Sequence, residues 1–233
     1  VSAQLRKANK HNAPTRKFER NLWSAGIEHV VGIDEVGRGS WAGPLTIAAV
    51  IIPKDKRLYR IRDSKALNEK ERESLFGRIT NWCTHWGVGH ATNEECDEFG
   101  MSHSQKLAAE RAISSLAITP DHALIDGKWD FVGQILGKEN KTMIVRGDAQ
   151  CLSIATASIL AKVTRDRMMK KHHESFPAYA FASNKGYPCP KHKAALSELG
   201  PTPLHRISWN YMKDTPYPQA AAPRKNPAQN LLF

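Results

Sequence analysis

The stretch Val30-Val31-Gly32-Ile33-Asp34-Glu35 is followed, after Gly37-Arg38-Gly39, by Leu45-Thr46-Ile47-Ala48-Ala49-Val50-Ile51-Ile52. Val30 to Ile33 has the look of a short buried strand that ends at Asp34. The second run is β-branched and long enough for a central strand, and Pro53 closes it. Working outward, Trp86-Gly87-Val88-Gly89, Ala123-Leu124-Ile125 and Thr142 to Val145 read as three more strands. Between them lie helical patterns. Asn68 with Glu71 forms a capping box that opens a helix whose apolar face is Leu75, Phe76 and Ile79. Ser104 to Leu116, Ser153 to about Lys171, and Pro190 to Leu199 with Gly200 as its stop are the others. Strands and helices in this order predict an α/β layer structure around a mixed sheet.

The rest of the chain frames that body. Residues 1–29 read as a mobile basic arm, helical toward its end, with Arg6, Lys7, Lys10, Arg16, Lys17 and Arg20 in its first twenty residues against Glu19 alone. Residues 30–212 form one body with no internal repeat and no Gly/Ser-rich linker. Residues 213–233, with Pro216, Pro218, Pro223 and Pro227, read as an extended tail.

Composition excludes several classes. In 233 residues, 15 Gly and 13 Pro are too few for a collagen or low-complexity chain. The longest apolar run, Leu45 to Ile52, falls far short of the roughly 18 residues that span a bilayer. The opening residues hold no apolar stretch that would serve as a secretory signal. The four cysteines, Cys83, Cys96, Cys151 and Cys189, are scattered without a C-x-x-C pair and read as reduced thiols of a cytoplasmic protein. The net charge of +11 fits either ordinary solubility or a polyanion partner.

The acids carry the sharper signal. Asp34 and Glu35, Asp126, and Asp148 follow the apolar residues of three short strands, and strand ends are where α/β proteins assemble sites. Carboxylates gathered there repel one another unless a cation neutralises them. Oxygen ligands without Cys or His select hard ions such as Mg²⁺ or Mn²⁺, and two such ions support in-line displacement at phosphorus. Singly, each acid also has a plain structural reading: Asp126-Gly127 as a turn, Gly147-Asp148 as a loop, Asp34 and Glu35 as partners of Arg38. Around them stand three polar loops. Gly37-Arg38-Gly39 brings backbone N–H groups and a charge toward a phosphate or sugar, or makes a tight turn. Asp63-Ser64-Lys65 and Asn184-Lys185-Gly186-Tyr187 combine a cation with hydrogen-bonding or aromatic partners. Tyr187 is a stacking surface or a core aromatic.

Seven strings, in order, resemble the bacterial ribonuclease HII family. They are G-I-D-E-V-G-R-G-S-W-A-G-P (Gly32–Pro44), D-S-K-A-L (Asp63–Leu67), L-I-D-G (Leu124–Gly127), R-G-D-A (Arg146–Ala149), S-I-L-A-K-V-T-R-D (Ser158–Asp166), N-K-G-Y (Asn184–Tyr187) and G-P-T-P-L-H-R (Gly200–Arg206). The resemblance covers nearly the whole body, from about Val30 to Trp209. It implies a ribonuclease H-like fold with a mixed five-stranded sheet flanked by helices. It also implies endonucleolytic cleavage of the RNA strand of RNA–DNA hybrids and of single ribonucleotides embedded in duplex DNA, leaving 3′-hydroxyl and 5′-phosphate ends. Asp34, Glu35, Asp126 and Asp148 match the family's metal-binding carboxylates. Gly37, Arg38 and Gly39 match the element that meets the ribose 2′-hydroxyl and its phosphate, and Tyr187 matches the tyrosine that packs on the sugar at the junction. Ser64, Lys65 and Lys185 are expected on the substrate as well, and Asp166 as helical structure. The expected protein is a monomer that uses Mg²⁺ or Mn²⁺. Ser40-Trp41 departs from the Pro-Leu-like pair of many members. A non-catalytic basic nucleic-acid-binding module and a DNA-directed two-metal nuclease stand as alternatives.

Overall fold

In the computed structural model the described residues are 13–217, so the basic residues Arg6, Lys7 and Lys10 and the later prolines of the tail lie outside them. The elements, in chain order, are α1 (Lys17–Ser24), β1 (Val30–Val36), β2 (Leu45–Ile51), α2 (Glu69–Trp82), β3 (His85–Ala91), α3 (Asn93–Ser114), β4 (His122–Asp126), α4 (Gly133–Leu136), β5 (Lys141–Ile144), α5 (Gly147–Gln150), α6 (Leu152–Ser175), α7 (Phe181–Asn184) and α8 (Pro190–Leu199). No helix among the described residues is long and apolar enough to cross a membrane.

The five strands form one mixed sheet in the order β3-β2-β1-β4-β5. β1 runs antiparallel to β2 and parallel to β4, and β4 is parallel to β5. The sheet is buried where the sequence is most apolar: every residue of β2 is buried. One boundary differs from the sequence reading. β1 does not stop at the last apolar residue but continues to Val36, with Asp34 opposite Ala48 and Glu35 opposite Ile47. The fully buried β2 supplies a hydrogen-bonding partner past the point where β1's hydrophobicity ends, so the ladder continues.

The chain falls into two compact units. The first comprises the described residues up to Val36 with Thr46–His90 and Gln105–Arg165; the second comprises Gly37–Leu45, Ala91–Ser104 and the described residues from Asp166 on. In the first, Ala48, Val50, Ile52, Leu75 and Ile79 pack with Ala155, Ile159 and Leu160 of α6. α6 is apolar on most of its circumference here, as a helix enclosed by protein must be. Gly32 is required for that packing, since a Cβ there would collide with Ser153. The capping box that opens α2 is present, with Asn68 Oδ1 accepting from the Glu71 N–H at 3.0 Å and Glu71 Oε2 accepting from the Asn68 N–H at 2.7 Å. α3 starts earlier than the apolar pattern predicts and is interrupted at Gly100 (φ +75°, ψ 164°), beyond which the predicted helix follows.

Residues 13–29 are not a loose arm. Phe18, Leu22 and Trp23 pack on a cluster of Val30, Leu124, Ile144 and Ile154. Thr15 pairs with Cys151, and the Arg16 guanidinium donates to the Lys54 carbonyl at 2.8 Å. Glu19, the acid among these bases, is fully buried and accepts from the Ser153 N–H at 2.7 Å. A carboxylate at the first turn of α6 answers the unsatisfied N–H groups there. Partners so far apart in sequence leave no local pattern to read.

The second unit has its own core of Ala42, Met169, Tyr179, Phe181, Leu196 and Met212. Trp41, the departure from the family pattern, is part of it: its ring stacks on Tyr211 at 4.1 Å between centroids, 8° from parallel.

Candidate active site

Three of the four expected carboxylates come together in the first unit. Asp34 is carried on β1, Asp126 is the last residue of β4, and Asp148 lies on the short helix α5 that follows β5. Asp34 and Asp148 are buried and Asp126 is half-buried. Adjacent parallel strands bring the first two together. The third is turned back toward them by Arg146, which takes a left-handed conformation (φ +56°), a costly one for a residue with a Cβ. That turn lets the Gly147 N–H donate to Asp126 Oδ1 at 2.7 Å.

The three carboxyls repel one another. Burial, then the charges of Asp126 and Asp148, hold the Asp34 carboxyl well above the usual range, although the Glu35 N–H donates to its Oδ1 at 2.7 Å. Burial and Asp148 likewise raise Asp126, against the opposing bond from Gly147. Lys65 answers part of this charge. Its exposed ammonium lies 3.3 Å from Asp148 Oδ2. Burial of its inner atoms would lower its pKa, but Asp148, Asp34 and Asp63 outweigh that and raise it.

Asp63 is an acid that the sequence reading left out of the site. Burial and its hydrogen bond and charge contact with Asp148 raise its carboxyl. Its place in D-S-K-A-L beside Lys65 was the available signal. The same loop is anchored from below: the buried Ser64 gives its N–H to Ser158 Oγ at 3.2 Å, and the Arg72 guanidinium donates to the Ser64 carbonyl at 2.9 Å. Glu35, next to Asp34 in a pleated strand, takes the opposite face. There Gln105 Nε2 donates to its Oε2. Gln105, buried on α3, gave no sequence signal.

The remaining expected residues belong to the second unit. Gly37 (φ +90°) begins the turn directly after β1, and its N–H donates to the Tyr187 hydroxyl at 3.1 Å. Arg38 and Gly39 are exposed. Ser40 Oγ donates to the Gly37 carbonyl at 2.8 Å, and the buried Arg206 clamps the loop from beneath through the carbonyls of Arg38 and Gly43, both at 3.0 Å. Gly186 (φ +82°) lies against the Ala42 carbonyl so closely that a Cβ would not fit. The G-R-G turn and the K-G-Y loop are therefore one packed unit with the half-buried Tyr187 at its edge. Lys185 is placed otherwise than expected. It is buried in a left-handed conformation and its ammonium donates to the Ala182 carbonyl, so its charge braces the loop instead of facing a phosphate.

The donors of the carboxylate group fit a hard divalent ion: oxygen only, largely buried, and repelling one another in the absence of a cation. They do not stand as a closed ligand shell; among the described residues no group of three or more His, Cys, Asp or Glu is set to hold a metal ion. One oxygen each of Asp34 and Asp126 is taken by a backbone N–H, and Asp148 faces Lys65. Farther along the same unit, a cleft of about 700 Å³ is lined by Arg60, Arg62, Lys70 and Arg78, with Glu71 as its acid. Such a surface attracts polyanions.

Comparison with known proteins agrees with this construction. A family model described as Ribonuclease HII matches residues 31–212. The chain is 42% identical over 207 residues to "Ribonuclease HII" of Streptomyces coelicolor, covering 88% of each chain. It is 41% identical over 197 residues to "Ribonuclease HII" of Ligilactobacillus salivarius, covering 84% of this chain and 75% of that one. Among solved structures, the ribonuclease H2 of Pyrococcus horikoshii OT3 superposes with a TM-score of 0.66 at 29% identity, covering 80% of this chain and 96% of the other. With the sheet order, the three converging aspartates and a family match that runs from β1 past α8, the chain belongs to the ribonuclease HII family and is a ribonuclease H, an endoribonuclease of RNA–DNA hybrids.

Proposed function

We propose that this chain cuts the phosphodiester on the 5′ side of a ribonucleotide, in long hybrids and at single ribonucleotides within duplex DNA, acting as a cytoplasmic monomer. The observation that carries this reading is the convergence of Asp34, Asp126 and Asp148, with Asp34 buried among the charges of the other two. A buried group of like charges is costly unless a cation is bound, and here the cation would be Mg²⁺ or Mn²⁺. A pair of such ions supplies the acidity that makes water a nucleophile near neutral pH and the charge that stabilises the departing 3′-oxygen. Asp34, Asp126 and Asp148 would hold them, with Glu35, which matches the family's fourth carboxylate, turning from Gln105 to join them. Lys65, already drawn to Asp148, steadies the carboxylates and offers its ammonium to the incoming phosphate.

Recognition of RNA requires a contact to the 2′-hydroxyl, the atom that separates it from DNA at the cut. Backbone groups of Gly37 to Gly39 and the Tyr187 ring are assigned that task, with Arg38 on the neighbouring phosphate. The buried clamp of Arg206 on the carbonyls of Arg38 and Gly43 supports it, because a reading element must be rigid before substrate arrives. The cationic cleft of Arg60, Arg62, Lys70 and Arg78 holds the backbone of the flanking duplex.

The test is digestion of a duplex that contains one ribonucleotide, with Mg²⁺, with Mn²⁺ and with chelator, and with product ends mapped. The expected products carry a 3′-hydroxyl and a 5′-phosphate, with no cutting under chelator and none of an all-DNA duplex. Cleavage that survives chelation, or that proceeds on all-DNA duplex, contradicts the reading.

A further inference from the structure

Beneath Tyr187 the second unit buries two histidines face to face. His192, on the first turn of α8, and His205, in the loop after it, are 0% and 2% exposed, and their Nε2 atoms lie 3.0 Å apart. The outer nitrogen of each ring has a backbone partner. The Thr202 N–H donates to His205 Nδ1 at 2.9 Å, the Thr202 hydroxyl, whose oxygen accepts from the Leu204 N–H, lies 2.9 Å from the same nitrogen, and His192 Nδ1 lies 3.0 Å from the carbonyl oxygen of Tyr187.

With both rings neutral, the two backbone partners order the protons between them. A backbone N–H has only a proton to give, so His205 Nδ1 is an acceptor and the ring, when neutral, carries its proton on Nε2. That proton lies between the two Nε2 atoms, so His192 Nε2 accepts it. A neutral His192 then carries its own proton on Nδ1, where the Tyr187 carbonyl receives it. Enclosure among aromatic rings favours the neutral form of both. Burial lowers both, and with the neighbouring ring it takes His205 to about 4. The surroundings are aromatic: Tyr179 and Phe181 meet both rings and Trp41 meets His192. Lys193 is drawn over the outer Trp41 ring.

We propose that His205 and His192 form a directed two-imidazole relay, Thr202 N–H to His205 to His192 to the Tyr187 carbonyl, and that both are positioning residues for the Tyr187 ring. The relay completes the fixing of that residue. Its N–H already donates to the Asn184 carbonyl at 3.0 Å, its hydroxyl accepts from Gly37, and Pro188 restricts the chain on its far side. A third bond, at the carbonyl, sets the plane of the peptide from which the ring projects. A salt-bridged anchor would do the same work but would bury charge; two neutral imidazoles in series do it without. The functional half of the inference rests on the assignment of Tyr187 to the ribose at the RNA–DNA junction, while the relay itself does not.

Two measurements separate the halves. The first reads the tautomers in the full chain labelled with ¹⁵N-histidine, at pH 7. His205 is expected as the Nε2–H form and His192 as the less common Nδ1–H form. His192 protonated on Nε2, or either ring charged at that pH, overturns the relay whatever the enzyme does. The second compares cleavage of a single-ribonucleotide duplex with that of a long hybrid. His192→Leu is expected to lose at least about fivefold more on the former, the effect of one hydrogen bond, and His192→Asn, which keeps a donor near the Nδ1 position, to recover most of it. A folded His192→Leu that treats both substrates as the parent does overturns the positioning role, provided Tyr187→Ala does discriminate. Should Tyr187→Ala fail to discriminate, the Tyr187 assignment falls and the tautomers alone decide the relay. If His192→Leu does not fold, His205→Gln, which retains a donor toward His192, is expected to keep the parent's preference; loss of that preference in a folded His205→Gln counts against the relay.

Discussion

The first unit gathers three aspartates, two of them buried and one half-buried, the second buries two histidines, and the two groups meet the cost of burial in opposite ways. The aspartates stay in conflict: Asp126 and Asp148 raise Asp34, Asp148 raises Asp126, and Lys65 with a few backbone N–H groups only partly offsets this. His192 and His205 are neutral, and each ring nitrogen has a partner. The difference separates two kinds of preparation. On the proposed reading, the aspartate group keeps part of its negative charge uncompensated until a cation arrives, even though backbone N–H groups hold its carboxylates in place. A site that recognises shape gains from being complete beforehand, because every group ordered in advance is one the substrate need not order.

The comparison breaks most visibly at Asp34. Asp34→Asn is expected to lower cleavage by about 100–1,000-fold or more, with hybrid binding largely kept, since the basic surface is untouched. The same substitution should make the metal-free protein more stable at neutral pH, by about 2–4 °C in Tm, because one of three repelling charges is gone while Asn Oδ1 still accepts the Glu35 N–H. Melting curves and product gels on one preparation check both. Loss of activity with loss of stability would mean that the group is structural.

Next in size is Tyr187→Ala, expected to reduce cleavage of single-ribonucleotide duplexes about tenfold or more relative to long hybrids. Equal loss on both substrates would remove the junction role. Arg60→Ala with Arg78→Ala should raise KM for long hybrids severalfold and shallow the salt dependence of binding by about two phosphate contacts. An unchanged salt slope would remove the cleft from the interface.

The smallest effect is in the pH dependence of stability without divalent ions, and it runs in opposite directions in the two groups. A carboxyl raised in the folded state holds its proton more tightly there than in the unfolded chain. Asp34 and Asp126 therefore lower stability as pH rises from about 3.8 through their raised values. The histidines, lowered by folding, take up protons in the unfolded chain first, so their contribution is full above about 6.5 and is lost as pH falls toward about 4. Asp34→Asn should flatten the first limb and leave the second, as Tm measured from pH 4 to 8 in chelator would reveal.

What could be read beforehand follows from how local each signal is. All five strands were visible, because an apolar run between turns declares itself over a few residues, and so were the capping box of α2 and the whole of α8. Asp34 and Glu35 were expected beyond the strand and lie inside it, because β1's length is set by its partner β2, not by its own composition. Asp126 and Asp148 were legible as acids near strand ends, but the left-handed turn at Arg146 that returns Asp148 to the group was not. Lys185 looked like a phosphate ligand by residue type and is a buried brace. Glu19 looked like a stray acid in a basic arm and caps α6 from 134 residues away. Polar residues whose partners are distant carry no local period, so their roles appear only with the fold.

On the proposed function, the three converging aspartates would hold a hard divalent cation. Calorimetric titration of Mn²⁺ into the substrate-free protein at neutral pH, beside the same titration of Asp34→Asn, tests it directly. The parent is expected to bind with measurable heat that Mg²⁺ competes away, and the variant to lose most of that affinity. A variant that takes up Mn²⁺ as the parent does would contradict the claim.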